Sequence, residues 1–504
     1  MTPRNQDGLP RIPRVSFRPR TAPMNSRSHF SLTAAFGFLA LCLTSTGPLT
    51  AAELATGFPK PPIPLELAPR MGRPFNDSAV FQQQMPIPVW GWTLPEAEVS
   101  VSLDQQMRSA KAGGDGRFEV KFEAMPADKL KAVDDVPVGH TLTVVTRAGG
   151  KEETKAFSNI LIGEVWLCSG QSNMAVKYNS RGTNLDPKRP ALRFLDDAWS
   201  ASAPDTCGRC YSISYVFGHK LQGELLVPVG LMNAAVAGTG IEGWWYVAPG
   251  DPPTPTKYQN YMPKIEPLVG HAMRGTLWYQ GEANEKQGKD YLPMLKRLID
   301  GWRGAWKQGD FPFYIVQLST IGESPTDKPQ GGDGRAAIRN AQLEALTTIP
   351  NTGMAVTIDI GEKKEHPKNK YDVGLRLAAW ALNKAYGKAD VVPSGPLYKS
   401  HAVEGGAIRV KFDCAGHGLM LARKEGYEPP VPTPDAPMPW LSIQAKDGSW
   451  HWAEGRIDGS DLIVSSKEVS DPVAVRYAYT QHPAGCNLYN KDGLPASPFS
   501  TCGY

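Results

Sequence analysis

Four short segments of this 504-residue chain carry side chains that together could hydrolyse an ester. Ser172 lies in Gly170-Gln171-Ser172-Asn173-Met174, and Gly238 in Ala237-Gly238-Thr239-Gly240. Gln280, Glu282 and Asn284 share the segment Gln280-Gly281-Glu282-Ala283-Asn284, and His366 follows Glu362-Lys363-Lys364-Glu365. A serine hydroxyl is a weak nucleophile until an imidazole takes its proton, which gives Ser172 and His366 their expected roles. The imidazole needs a carboxylate to fix its tautomer. The tetrahedral oxyanion needs preformed donors: the amide of Ser172, the amide of Gly238, and a side-chain amide of Gln280 or Asn284. Glycine at 238 lets the backbone approach a substrate with no Cβ in the way. Taken singly, each residue has a plainer role. Ser172 could cap a helix, Gly238 could make a turn, Glu282 and Asn284 could cap, and His366 could be a loop residue. Their joint placement favours chemistry.

That placement follows from the elements before each segment. Apolar strand candidates run Ile160–Cys168, Val227–Val236, Gly275–Tyr279, Phe311–Leu318 and Met354–Ile360. Helical patterns fall between them, as in "DYLPMLKRLIDGWRGAW", where Leu292, Leu295, Leu298, Ile299, Trp302 and Trp306 share one face. Strands alternating with helices over residues 159–390 predict an α/β domain with a five-stranded parallel sheet and helices on both faces. Such sheets bind ligands outside the carboxyl ends of their strands, where four of these five end in the segments above. Residues 53–158 read as short alternating strands ("IPVWGW", "VSVSL", "RFEVKFEA", "TLTVVTR"), an antiparallel sandwich-like domain. Residues 391–504 return to that pattern ("AIRVKF", "LSIQAK", "SWHWAEGRI", "DLIVSS", "AVRYAY") and predict a second β domain, with "EPPVPTPDAPMPW" as an exposed loop.

Residues 1–52 read as a leader. Arg27 and His29 precede an apolar run, Leu32 to Leu43, and Thr50-Ala51-Ala52 offers a cleavage site, the three-part form of a secretory signal. Met24 is an alternative start. The run is too short, and too soon broken by Gly47-Pro48, to span a membrane. The leader holds six arginines and Asp7, so its removal leaves 48 basic and 49 acidic side chains from totals of 54 and 50. A secreted or periplasmic protein with that balance has no electrostatic signature of nucleic acid or anionic membranes. Outside the leader, Cys168, Cys207, Cys210, Cys414, Cys486 and Cys502 permit disulfides. Cys207-Gly208-Arg209-Cys210 reads as a local disulfide or loop cysteines, since no second CxxC or CxxH completes a zinc site. Cys168, within a strand, reads as a buried small residue. No metal or organic cofactor is implied.

The serine does not sit in a G-x-S-x-G elbow, because the second glycine is missing. Instead "GEVWLCSGQSNM", "WYQGEAN" and "HPKNKYDVGLRLA" closely resemble the bacterial sialate O-acetylesterase family of SGNH hydrolases. The resemblance extends to "AVFQQQMPIPVWGWTLP" and "CNLYNKDGLPASPFST", covering roughly residues 64 to 502. It implies a flavodoxin-like catalytic domain and a carbohydrate esterase. By position, it implies Ser172 as nucleophile, His366 as general base, Gly238 as the glycine oxyanion donor, and Gln280 or Asn284 as the amide donor. The family usually places an Asp two residues before its His; here Lys364 stands there and the segment is one residue shorter. Glu282 is therefore the first candidate for the triad acid, with Glu365 and Glu362 as substitutes. A lysine beside the imidazole would lower its basicity. For the substrate, Gln171 and Asn173 flank the serine. Trp244, with Trp245 and Tyr246, could stack on a sugar ring, and Arg339 could meet the carboxylate of sialic acid. The 322–334 loop has the length of a lid. The expected function is removal of O-acetyl groups from sugars, first from sialic acid, alternatively from xylan or another polysaccharide. A non-catalytic carbohydrate-binding protein with a decayed site is the rival, motivated by Lys363-Lys364.

Overall fold

The computed structural model describes residues 64–179, 185–247, 258–322 and 328–503. The leader, its cleavage site, Met24 and part of the 322–334 loop lie outside them.

The chain forms a mixed α/β structure around a large central sheet. Its strands are β1 (Lys151–Gly170), β2 (Arg189–Leu195), β3 (Trp199–Ser202), β4 (Val229–Ala235), β5 (Gly275–Tyr279), β6 (Phe313–Val316) and β7 (Thr352–Ala355). They lie in the order β3-β2-β4-β1-β5-β6-β7, all neighbours parallel except β3, which runs antiparallel to β2. The parallel part has six strands where five were expected. The addition is β2, "RPALRFL", whose Arg189, Pro190 and Arg193 conceal a strand signal. Arg193 is buried, and its guanidinium donates to Asn159 O, Asn159 Oδ1 and Ala79 O at 2.5, 2.9 and 3.4 Å. An interior arginine supplied with acceptors looks, in a sequence, like a loop residue.

β1 is 20 residues long and runs through the boundary expected at 158/159. Its first half is mostly exposed and pairs antiparallel with His140–Ala148. From Glu164 onward it is wholly buried between β4 and β5, as parallel strands covered on both faces are. The crossover is tied by Val80–Gln82, paired parallel with Leu161–Gly163. Gln82 accepts from Val165 N–H at 2.8 Å and donates to the Glu164 carboxylate at 3.0 Å. The N-terminal strands Ile87–Trp92, Glu98–Leu103 and Arg117–Phe122 form where the alternation predicts them. Beyond the central sheet, strands from Leu397 to Ser500 build three small antiparallel sheets.

The helices are α1 (Ser172–Ala175), α2 (Ser212–Leu225), α3 (Tyr291–Trp306), α4 (Gly334–Thr348) and α5 (Tyr371–Trp380). They pack in pairs, α2 with α5 and α3 with α4. Gly374 allows the first pairing, because a Cβ there would stand 2.6 Å from Val216 Cβ. On α3, Leu295, Leu298, Ile299, Trp302 and Trp306 are buried as their spacing predicts. Among the described residues no helix is long and apolar enough to cross a membrane. The six cysteines beyond the leader are unbridged, so of the two readings of 207–210 the structure has free cysteines and not a local disulfide. Cys210 is instead buried beside Ser214 Oγ, and desolvation pushes its thiol up to about 12.

Candidate active site

Strand register brings three of the four segments together. Gly170 stands level with Ala235 on β4 and with Tyr279 on β5, so three neighbouring strands end side by side. The chain builds β2 and β4 on one side of β1 and then crosses to β5 on the other, and such a reversal is where open α/β sheets bind ligands at their carboxyl ends. Gly170 has φ 134°, and a Cβ there would overlap the Tyr279 carbonyl. Only glycine permits so close a turn. The Gln171 N–H then donates to that same carbonyl at 2.9 Å, and Ser172 opens α1. Ser172 is partly exposed, and its Oγ has no hydrogen-bond partner among the described residues.

Gly238 occupies the turn after β4, exposed and at φ 71°, with no protein atom within 4 Å of where a Cβ would be. Gln280 and Asn284 hold that turn from beneath. Gln280 Nε2 donates to Thr239 O at 3.1 Å and to Asn284 Oδ1 at 2.7 Å. Asn284 Oδ1 also accepts from Ile241 N–H at 3.0 Å, while its Nδ2 donates to Glu242 and Gln287 at 3.0 and 2.7 Å. Both side chains are buried, and their amide hydrogens already have protein acceptors. Where one of them was expected to face an oxyanion, both amides here brace the turn from within the chain.

The His366 segment reaches the serine turn through Asn173. Asn173 Nδ2 donates to the Glu365 carbonyl at 3.0 Å and to Glu282 Oε1 at 2.6 Å, and Asn173 Oδ1 accepts from Lys370 Nζ at 2.5 Å. His366 itself is exposed, and its imidazole has no partner among the described residues. The acids divide clearly. Glu362 accepts from Lys368 N–H at 2.8 Å within the turn, and the Glu365 side chain is exposed. Glu282 is buried, which raises its carboxyl above the usual range, and its Oε2 is the one buried carboxylate oxygen without a donor among the described residues. Behind the segment, Asp359 and Arg376 form a buried bidentate pair at 2.7 Å. Sequence reasoning missed Lys370; its only signal is position, four residues after His366 and just before α5.

The substrate contacts inferred from sequence need correction. Asn173 is fully buried with every polar atom engaged, and Gln171 is buried with Oε1 accepting from Gln280 and Ala283. Trp244 is a core residue, edge-on to Trp278, with Nε1 on Thr239 Oγ1. Arg339 is wholly buried and donates to the carbonyls of Leu318, Ser319, Thr480 and Gln481 at 2.7–3.0 Å. It ties α4 to the C-terminal strands and cannot meet a ligand carboxylate. Arg339→Lys, which keeps the charge but loses the fork of donors, is expected to cost about 2–3 kcal/mol in urea unfolding with KM unchanged.

Residues 162–383 match the family described as carbohydrate esterase, sialic acid-specific acetylesterase. A crystal structure of a carbohydrate acetylesterase from Xanthomonas citri superposes with a TM-score of 0.74 and 31% identity, covering 86% of this chain and 99% of that one. Fold and site therefore define a carbohydrate esterase, a carboxylic-ester hydrolase. The curated sialate O-acetylesterases of Homo sapiens and Pongo abelii are each 27% identical over 505 residues, covering 84% of this chain and 90% of theirs. The chain belongs to the sialate O-acetylesterase family.

Proposed function

We propose that this chain is a serine-dependent O-acetylesterase acting on acetylated sugars, with O-acetyl sialic acid as its first substrate. The observation that carries the reading is the level register of Gly170, Ala235 and Tyr279, which sets Ser172 between the Gly238 turn and the Gln280–Asn284 turn. In this reading Ser172 Oγ attacks the acetyl carbonyl carbon while His366 takes the hydroxyl proton. The N–H groups of Ser172 and Gly238 hold the oxyanion. Collapse breaks the ester bond, and the sugar oxygen leaves with the proton from His366. Water, deprotonated by His366, then attacks the acetyl-enzyme, releasing acetate and restoring Ser172. Glu282 supplies the acid behind the imidazole: it is tied through Asn173 to the segment that carries His366, and its Oε2 has no donor among the described residues. The reading includes the SGNH assignment and, from the leader, export to the periplasm or medium.

A serine-directed phosphonate is expected to label Ser172 alone, located by peptide mass spectrometry. No adduct, or one elsewhere, sinks the serine mechanism and leaves a sugar-binding protein with a decayed site. Acetate release from O-acetyl sialic acid against acetylated xylan then decides the sugar.

A further inference from the structure

We propose that Lys370 is a positioning residue of the esterase, whose buried ammonium fixes the orientation of Asn173 and through it the His366 segment and Glu282. The inference rests on the reading of Ser172 and His366 given above. An asparagine amide can point either way, but an ammonium only donates. Lys370 Nζ, at 2.5 Å, therefore commits Oδ1 of Asn173, and both amide hydrogens must face the other side. There they meet Glu282 Oε1 and the Glu365 carbonyl. The segment carrying His366 is thus pinned on either side of the histidine, at Glu365 and at Lys370, to the residue that follows Ser172.

Lys370 is an expensive choice for a strut. It is buried, packs 5.8 Å from the Tyr279 ring, and among the described residues has no carboxylate within ion-pair distance. The charges that act on it are Glu282 and Glu362, and desolvation draws its pKa down to about 8. Replacing it with an apolar chain of similar length leaves Asn173 Oδ1 buried without its donor. A lysine kept there for packing alone would be a poor solution; one kept to orient an amide is not.

The test uses the full chain and p-nitrophenyl acetate. Lys370→Met is expected to lower kcat about 10–100-fold, the scale of a small misplacement of catalytic groups, with KM within about twofold. Its melting temperature should fall modestly, because Asn173 Oδ1 loses its donor. Asn173→Ala should give a similar loss, and the double variant should lose no more than the worse single one, as for residues acting in series. Wild-type activity should fall as pH rises through about 8, where the ammonium deprotonates, and Lys370→Arg should move that fall upward. Wild-type kcat in Lys370→Met, or additive losses of kcat in the double variant, overturns the proposal. If Lys370→Met does not fold, Lys370→Gln serves the same comparison. Phosphonate labelling separates the two readings: slow labelling of Ser172 confined to the Lys370 variants supports this inference, whereas no labelling of wild type removes the serine mechanism itself.

Discussion

Ser172→Ala is expected to lower kcat on a small acetyl ester by at least about 10³-fold, the scale seen when a serine hydrolase loses its nucleophile. The structure makes this a clean substitution. Ser172 Oγ has no partner to orphan among the described residues, Gln171 rather than Ser172 occupies the cap position of α1, and alanine suits the first helical residue. Melting temperature and KM should therefore stay near wild type while kcat collapses. A residual rate above that of water should persist, supplied by binding and by the N–H of Gly238. Steady-state kinetics on a purified variant decide it. Activity within tenfold of wild type would remove Ser172 from the mechanism.

His366→Ala is expected to cost about 10²–10⁴-fold in kcat, the range for a lost general base. The side chain is exposed and makes no hydrogen bond among the described residues. Its loss should therefore change stability by less than about 0.5 kcal/mol, as at other surface positions. A large rate loss without a stability loss marks a group that works only when substrate is present. Added imidazole is expected to restore part of the rate by entering the space left behind. An unchanged rate in the variant would move the base elsewhere and leave the exposed histidine without a role.

The strand ends were legible because apolar runs stop abruptly at Gly170, Val236 and Tyr279, and small or polar residues follow. Which way the polar residues face was not. Gln280, Asn284 and Asn173 have the same letters whether their amide hydrogens meet a substrate or a carbonyl of the chain. Their partners, such as Thr239 O and Glu365 O, are set by turns the sequence does not specify. Arg339 lies on α4, and its burial depends on the carbonyls of Thr480 and Gln481, supplied by the far end of the chain. β2 and Lys370 were hidden for a shared reason. Charged residues are rarely interior, so an interior arginine or lysine reads as surface until its acceptors are seen. The triad acid stayed open because the segment before His366 is short, and the buried carboxylate nearest to it in the network, Glu282, comes from another strand end.

The 20-residue strand β1 also bears on how the central sheet keeps its register. The N-terminal strands precede β4 and β5 in the chain and pair with the opening half of β1. That pairing holds the register of the strand that leads into the Ser172 turn. Side chains alternate faces along a strand, so a slip of one residue would turn Trp166, Cys168 and Gly170 to the wrong side of the sheet. The N-terminal region thus braces the register of β1. Cutting it away at residue 158 would remove that brace and leave the register to the neighbouring parallel strands alone.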